Sequence, residues 1–84
     1  MKKIDPRLYG LHSRIILREN KKDIYIVIDR KSRIIMKDGH RILEIVKKIR
    51  DSEIRKNVSV LSRAPVCSKT QKFLNENKIA IKSL

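Results

Sequence analysis

A small α/β domain built on a mixed sheet, with its elements in the order β-β-β-α-β-α-β, is what three features of this 84-residue chain predict. Two aliphatic runs separated by a polar turn mark a hairpin. A stripe of branched residues at i, i+3, i+4 and i+7 marks a helix in the middle of the chain. A strand, a helix and a last strand then follow in the order that a parallel crossover takes. With only two Gly and two Pro and a hydrophobic share of 40%, the composition is that of a folded chain. At this length a single domain over residues 1–84 is expected, too small for a deeply enclosed site, so work at a surface is expected as well.

The first strand is the run RIIL from Arg14 to Leu17, and the second is IYIVI from Ile24 to Ile28, joined by the polar segment ENKKD. A turn centred on Lys21-Lys22 sets Ile15 opposite Ile28, Leu17 opposite Ile26, Ile16 opposite Val27 and Arg14 opposite Asp29. One hairpin face is then wholly aliphatic. The other carries Arg14, Ile16 and Arg18 against Tyr25, Val27 and Asp29 and is partly solvated. RIIMK from Arg33 to Lys37 reads as a third strand after a tight connection through Lys31-Ser32. Asp38 is placed to cap a helix running to about Ile54, with Ile42, Ile45, Val46 and Ile49 buried and Asn57 as a left-handed stop. Val58 to Leu61 is a short strand. Pro65 opens a second helix whose inner side is Val66, Thr70, Phe73, Leu74 and Asn77, and Ile79 to Ile81 closes the sheet.

Charge points to the partner. Twenty-two Lys and Arg stand against nine Asp and Glu, a formal net charge of +13. Such a surplus repels itself in the compact state and is relieved when a polyanion replaces counterions, which makes DNA or RNA the expected partner and an acidic membrane surface the lesser alternative. No stretch approaches the roughly 18 apolar residues of a spanning helix, and MKKIDPRLYG has no apolar run behind its lysines. Neither a membrane span nor a signal peptide is expected, and the chain is placed in the cytoplasm. One cysteine, Cys67, excludes an internal disulfide, and with His12 and His40 it falls short of a zinc set of the usual spacing.

Asp29-Arg30-Lys31, an acid and a lysine two apart after a hairpin, with a helix beyond, resembles the core of the PD-(D/E)XK restriction-endonuclease-like superfamily, in its Mrr-type and archaeal Holliday junction resolvase flavours. The ending NVSVLSRAPVCSKTQKFLNENKIAI is similar to the Mrr-type ending, and the likeness covers roughly Tyr9 to Ile81. It implies a restriction-endonuclease-like core and, for an active nuclease, Asp29 and Lys31 as catalytic residues with Asp29 holding Mg²⁺. That chemistry needs a second carboxylate on the neighbouring strand. The hairpin register instead sets Arg14 opposite Asp29 and His12 opposite Lys31, with Glu19 about 17 Å away. The resemblance therefore implies a catalytically silent relative that keeps a nucleic-acid surface and needs no cofactor. A homodimer whose partner supplies acids is the enzymatic alternative. IVIDRKSRIIMKDGHRILE also resembles the hinge segment of adenylate-forming acyl-CoA synthetases, a likeness that turn chemistry alone produces.

The candidate nucleic-acid contacts are Arg14, Arg18, Arg30, Lys31, Arg33 and Lys37 as a stripe along the meander, joined by Arg63, Ser68 and Lys69 at the start of the second helix. Asp29 is expected to face Arg14 as a cross-strand pair, Ser68 to cap the second helix, and Cys67 to be a small buried thiol. Tyr25 is the one available stacker, so duplex DNA or structured RNA outranks single strands. A ribosome-associated RNA-binding protein would show the same charge.

Overall fold

The structure is a computed structural model and describes residues Met1–Leu84. A five-stranded mixed sheet and two helices compose it: β1 (Lys2–Ile4), a 3₁₀ turn over Pro6–Tyr9, β2 (Ile16–Glu19), β3 (Asp23–Ile28), α1 (Met36–Ser52), β4 (Asn57–Ser62), α2 (Ser68–Glu76) and β5 (Ala80–Ser83). Spatial order follows chain order, β1-β2-β3-β4-β5. β1, β2 and β3 pair antiparallel in succession, and β3, β4 and β5 run parallel. The small α/β fold with a mixed sheet is thus present.

The hairpin register is the expected one, with Ile16 opposite Val27 and Leu17 opposite Ile26, continuing to Arg18 opposite Tyr25 and Glu19 opposite Ile24. It stops at Ile16, however. The further pairs Ile15 with Ile28 and Arg14 with Asp29 are not formed, because the chain turns just before β2: Ile15 N–H donates to the His12 carbonyl at 3.1 Å and Arg14 N–H to His12 Nδ1 at 3.1 Å. Lys2–Ile4, three residues with no periodic signal, pairs with Glu19 to Leu17 and adds an edge strand that the sequence did not announce.

The strand expected over Arg33 to Lys37 does not exist. Only Ile34 makes a bridge, to Val66, through Ile34 N–H to the Pro65 carbonyl at 2.8 Å and Cys67 N–H to the Ile34 carbonyl at 3.0 Å. Its side chain is fully buried as a plug between the layers. The reason lies in Asp38, which is not the N-cap but the third residue of α1. Its Oδ2 accepts from Ile35 N–H at 2.9 Å and from Arg30 at 2.7 Å, which starts the helix at Met36, three residues early. Arg30 also donates to the Ser32 and Arg33 carbonyls, curling the loop. Asn57 is no left-handed stop but the first residue of β4; the positive φ angles fall at Gly10 and Lys78. Likewise α2 begins at Ser68, not Pro65, and its N-cap is Cys67 rather than Ser68.

An Asp38→Ala variant loses both contacts, and a destabilisation of about 1–2 kcal/mol in urea unfolding near neutral pH is expected. The Arg30 guanidinium holds the Asp38 carboxyl below its usual range. Its contribution is therefore complete above an unfolded-state pKa of about 3.9 and fades as pH falls through the lower folded value, so the variant and the wild type should converge in acid. A gap that persists there would mean that the carboxylate does not start the helix.

Ile42, Ile45, Val46 and Ile49 of α1 and Leu74 of α2 join Leu17, Ile24, Ile26, Val58 and Val60 in one core. Gly39 lets the helices approach: a Cβ there would sit 2.9 Å from Thr70 Cγ2 and 3.4 Å from Phe73 Cδ2. The 3₁₀ turn lies on the same side, with Tyr9 Oη donating to Glu53 at 3.3 Å. The sheet is consequently covered on one face only. On the other, Ile16 is 43% exposed while its neighbour Leu17 is 1% exposed.

Candidate functional site

Parallel strands that all end at one edge, each followed by a helix, gather loops and helix starts there; in open α/β sheets such an edge is where ligands bind. Here the edge receives the C-terminal ends of β3, β4 and β5, the turn before β2 and the first turns of α1 and α2. It carries Arg14, Arg30, Lys31, Arg33, Lys37, Arg41, Arg63 and Lys69, eight cations, against two loop carboxylates, Asp29 and Asp38, while Asp5, which follows the end of β1 toward the same edge, is bound by Arg7. At the opposite edge seven cations (Lys2, Lys21, Lys22, Arg50, Arg55, Lys56 and Lys78) face five acids: Glu19, Asp23, Asp51, Glu53 and Glu76. Most of the acids thus lie away from the strand ends.

Both carboxylates of the rim are already engaged. Asp29 Oδ1 accepts from Arg63 Nε at 2.6 Å, and Asp38 holds Arg30. The expected Asp29 to Arg14 pair is replaced by Asp29 to Arg63 because β3 continues beside β4, and Arg63 N–H donates to the Ile28 carbonyl at 3.0 Å. Arg30 and Arg63 therefore order the two loops, while Arg14, Lys31, Arg33, Lys37, Arg41 and Lys69 have no carboxylate within 4.0 Å. The partial positive ends of α1 and α2 add to this field. Ser68 stands exposed as the first residue of α2, beside Lys69.

The strand-borne stripe is corrected in one respect: Arg33 and Lys37 belong to a loop and a helix start, so the cations form a rim, not a ribbon. Arg18 is not brought to it. It sits in mid-strand on the uncovered sheet face, opposite Tyr25 and about 13 Å along the strand from Arg14. Arg41 on α1 also joins the rim, one helical turn beyond Lys37, and its i+4 spacing from Lys37 is the sequence signal for it.

Asp29 and Lys31 lie beyond the end of β3, so they do not share a strand face. A divalent ion at Asp29 would have to displace Arg63, and no three His, Cys, Asp or Glu side chains converge to hold one anywhere in the chain. The residues present do not fit a two-carboxylate Mg²⁺ site.

Cys67 is half-buried rather than buried. Its Sγ lies 2.9 Å from Thr70 Oγ1 and accepts from Thr70 N–H at 3.4 Å. Those hydrogen bonds, the Thr70 hydroxyl first, push the thiol pKa down, helped by Arg33. Iodoacetamide should alkylate Cys67 with a pH midpoint below the roughly 8.5 of a free thiol, and Thr70→Val should raise that midpoint. An unchanged midpoint would remove Thr70 as the cause.

No helix is long and apolar enough to cross a membrane. Comparison of the chain with protein-family models, with curated proteins and with solved structures returns no match.

Proposed function

We propose that this chain binds nucleic acid, contacting the phosphates of duplex DNA or structured RNA through the rim at the strand ends. The observation that carries the reading is the segregation of charge: six rim cations without a carboxylate partner, with most of the acids at the far edge. Phosphate contacts need no deep pocket, and flexible cations at helix starts serve them well. Within the same reading, the meander, the helix and the parallel strands after it belong to a restriction-endonuclease-like core, in the order β-β-β-α-β-α-β, that has kept its ligand edge. Lys31 then serves as a phosphate contact, and Asp29 as the anchor of Arg63. A cytoplasmic setting suits the lone thiol.

Filter binding to matched DNA and RNA duplexes across a salt series tests this. With six phosphate contacts, log K against log salt should fall with a slope of about −5 on B-DNA. A slope near zero would contradict the reading. Preference for the RNA duplex, with co-sedimentation with ribosomes in high salt, would direct it to a ribosomal partner. The nuclease reading, alone or as a homodimer, requires cleavage in Mg²⁺ or Mn²⁺ that disappears in Asp29→Ala.

A further inference from the structure

The sheet face opposite the helices is uncovered, and its residues fall into two rows. Lys3, Arg18, Tyr25, Ser59 and Ala80 align across all five strands, and Ile16, Val27, Leu61 and Lys82 align beside them. Tyr25 stands on the middle strand, half-buried, with Lys82 Nζ 5.9 Å from its ring centre. Next to it come the two smallest side chains of the row, Ser59, which is buried, and Ala80, which is exposed, so no bulky side chain flanks the ring on that side. The apolar Ile16, Val27 and Leu61 floor the neighbouring row, and Lys3, Arg18 and Lys82 supply charge. One acid shares the face, Asp23, at the far end of β3.

From this arrangement we infer that the uncovered face is a second, separate site that takes single-stranded nucleic acid, with one base stacked on Tyr25 and phosphates on Arg18, Lys3 and Lys82. A ring among cations on an open sheet meets both demands of a single strand, a π-face for a base and charge for the backbone. A duplex keeps its bases inside and cannot use the ring. A second copy of this chain is the poorer occupant, because two-fold apposition would set Lys3, Arg18 and Lys82 against their own images. The inference shares a ligand class with the rim reading but not its residues.

The chain has no Trp and two tyrosines, so in Tyr9→Phe all tyrosine emission comes from Tyr25. Saturation with a ten-residue deoxythymidine or uridine oligomer should quench that emission. Tyr25→Ala should weaken binding of the fluorescein-labelled oligomer by roughly 5- to 100-fold, and Tyr25→Phe by no more than about twofold, with duplex affinity little changed in both. Absence of quenching, or equal oligomer affinity for Tyr25→Ala and wild type, would overturn the inference. So would sedimentation showing a dimer that Tyr25→Ala dissociates, since a second copy would then own the face. Replacing Lys31, Arg33, Lys37 and Lys69 by Ala should leave the quenching in place; duplex affinity that survives those changes sinks the rim reading alone.

Discussion

Replacing Lys31, Arg33, Lys37 and Lys69 together by alanine is expected to lower affinity for a duplex of about 20 base pairs by on the order of 10³-fold at 0.1 M salt. The magnitude follows from counterion release. Each phosphate contact on B-DNA contributes about 0.9 to the salt slope, which at that salt is worth roughly eightfold, and four contacts multiply. None of the four side chains is tied to a carboxylate, so their removal breaks no ion pair of the fold. Fluorescence anisotropy of a labelled duplex gives the affinity, and urea unfolding of the same variant should match the wild type within about 0.5 kcal/mol. Arg30→Ala and Arg63→Ala behave differently, because those guanidinium groups hold Asp38 and Asp29 and order the loops. Their loss should appear in stability as well as in binding.

Ile49→Ala is expected to cost about 2–5 kcal/mol, the largest effect of any single truncation considered. Ile49 has no exposed surface and lies on the α1 stripe that covers the sheet. At about 4–8 °C per kcal/mol for a domain of this size, the midpoint of thermal unfolding should fall by roughly 10–40 °C. The same truncation at Ile16, on the uncovered face, should cost less than about 1 kcal/mol. The pair of measurements tests the one-sided architecture on which both proposed surfaces depend. Comparable losses at the two positions would mean that the second face is also covered.

Much of this architecture is legible in the chain. The alternation in the two aliphatic runs and the length of the turn between them determine which residues oppose each other, so the pairs Leu17 with Ile26 and Ile16 with Val27 follow from counting. The stripe from Ile42 to Ile49 is equally plain, because four branched residues at helical spacing have one buried arrangement. The segment from Arg33 to Lys37 misleads for a physical reason. Consecutive isoleucines suit a strand, yet here Ile34 is a single plug, and a carboxylate three residues past Ile35 starts a helix instead. Lys2–Ile4 becomes a strand only because β2 offers an edge, which no local pattern reveals.

At the site the charges themselves are visible in the chain, but their arrangement is not. Arg63 and Asp29 are 34 positions apart, and only the parallel pairing of β3 with β4 brings them together. Arg14 leaves the cross-strand role expected of it because the turn from His12 to Ile15 ends the ladder at Ile16. Arg18, assigned to the same basic set, belongs to the other surface, because its place in mid-strand turns it away from the loops. Tyr25 gains weight for the same reason: the face around it is uncovered, a fact that depends on both helices packing on one side.

The most direct test compares two variants that lose the same charge at opposite edges: Lys31, Arg33, Lys37 and Lys69 to Ala at the strand ends, and Lys21, Lys22, Arg55 and Lys78 to Ala at the far edge. For each, the duplex binding constant is measured across a salt series. The far-edge variant should keep the wild-type slope of about −5, and the rim variant should fall to about −2. Equal losses of slope would mean that phosphate attraction comes from the bulk charge of the chain, and the rim would no longer be a binding site.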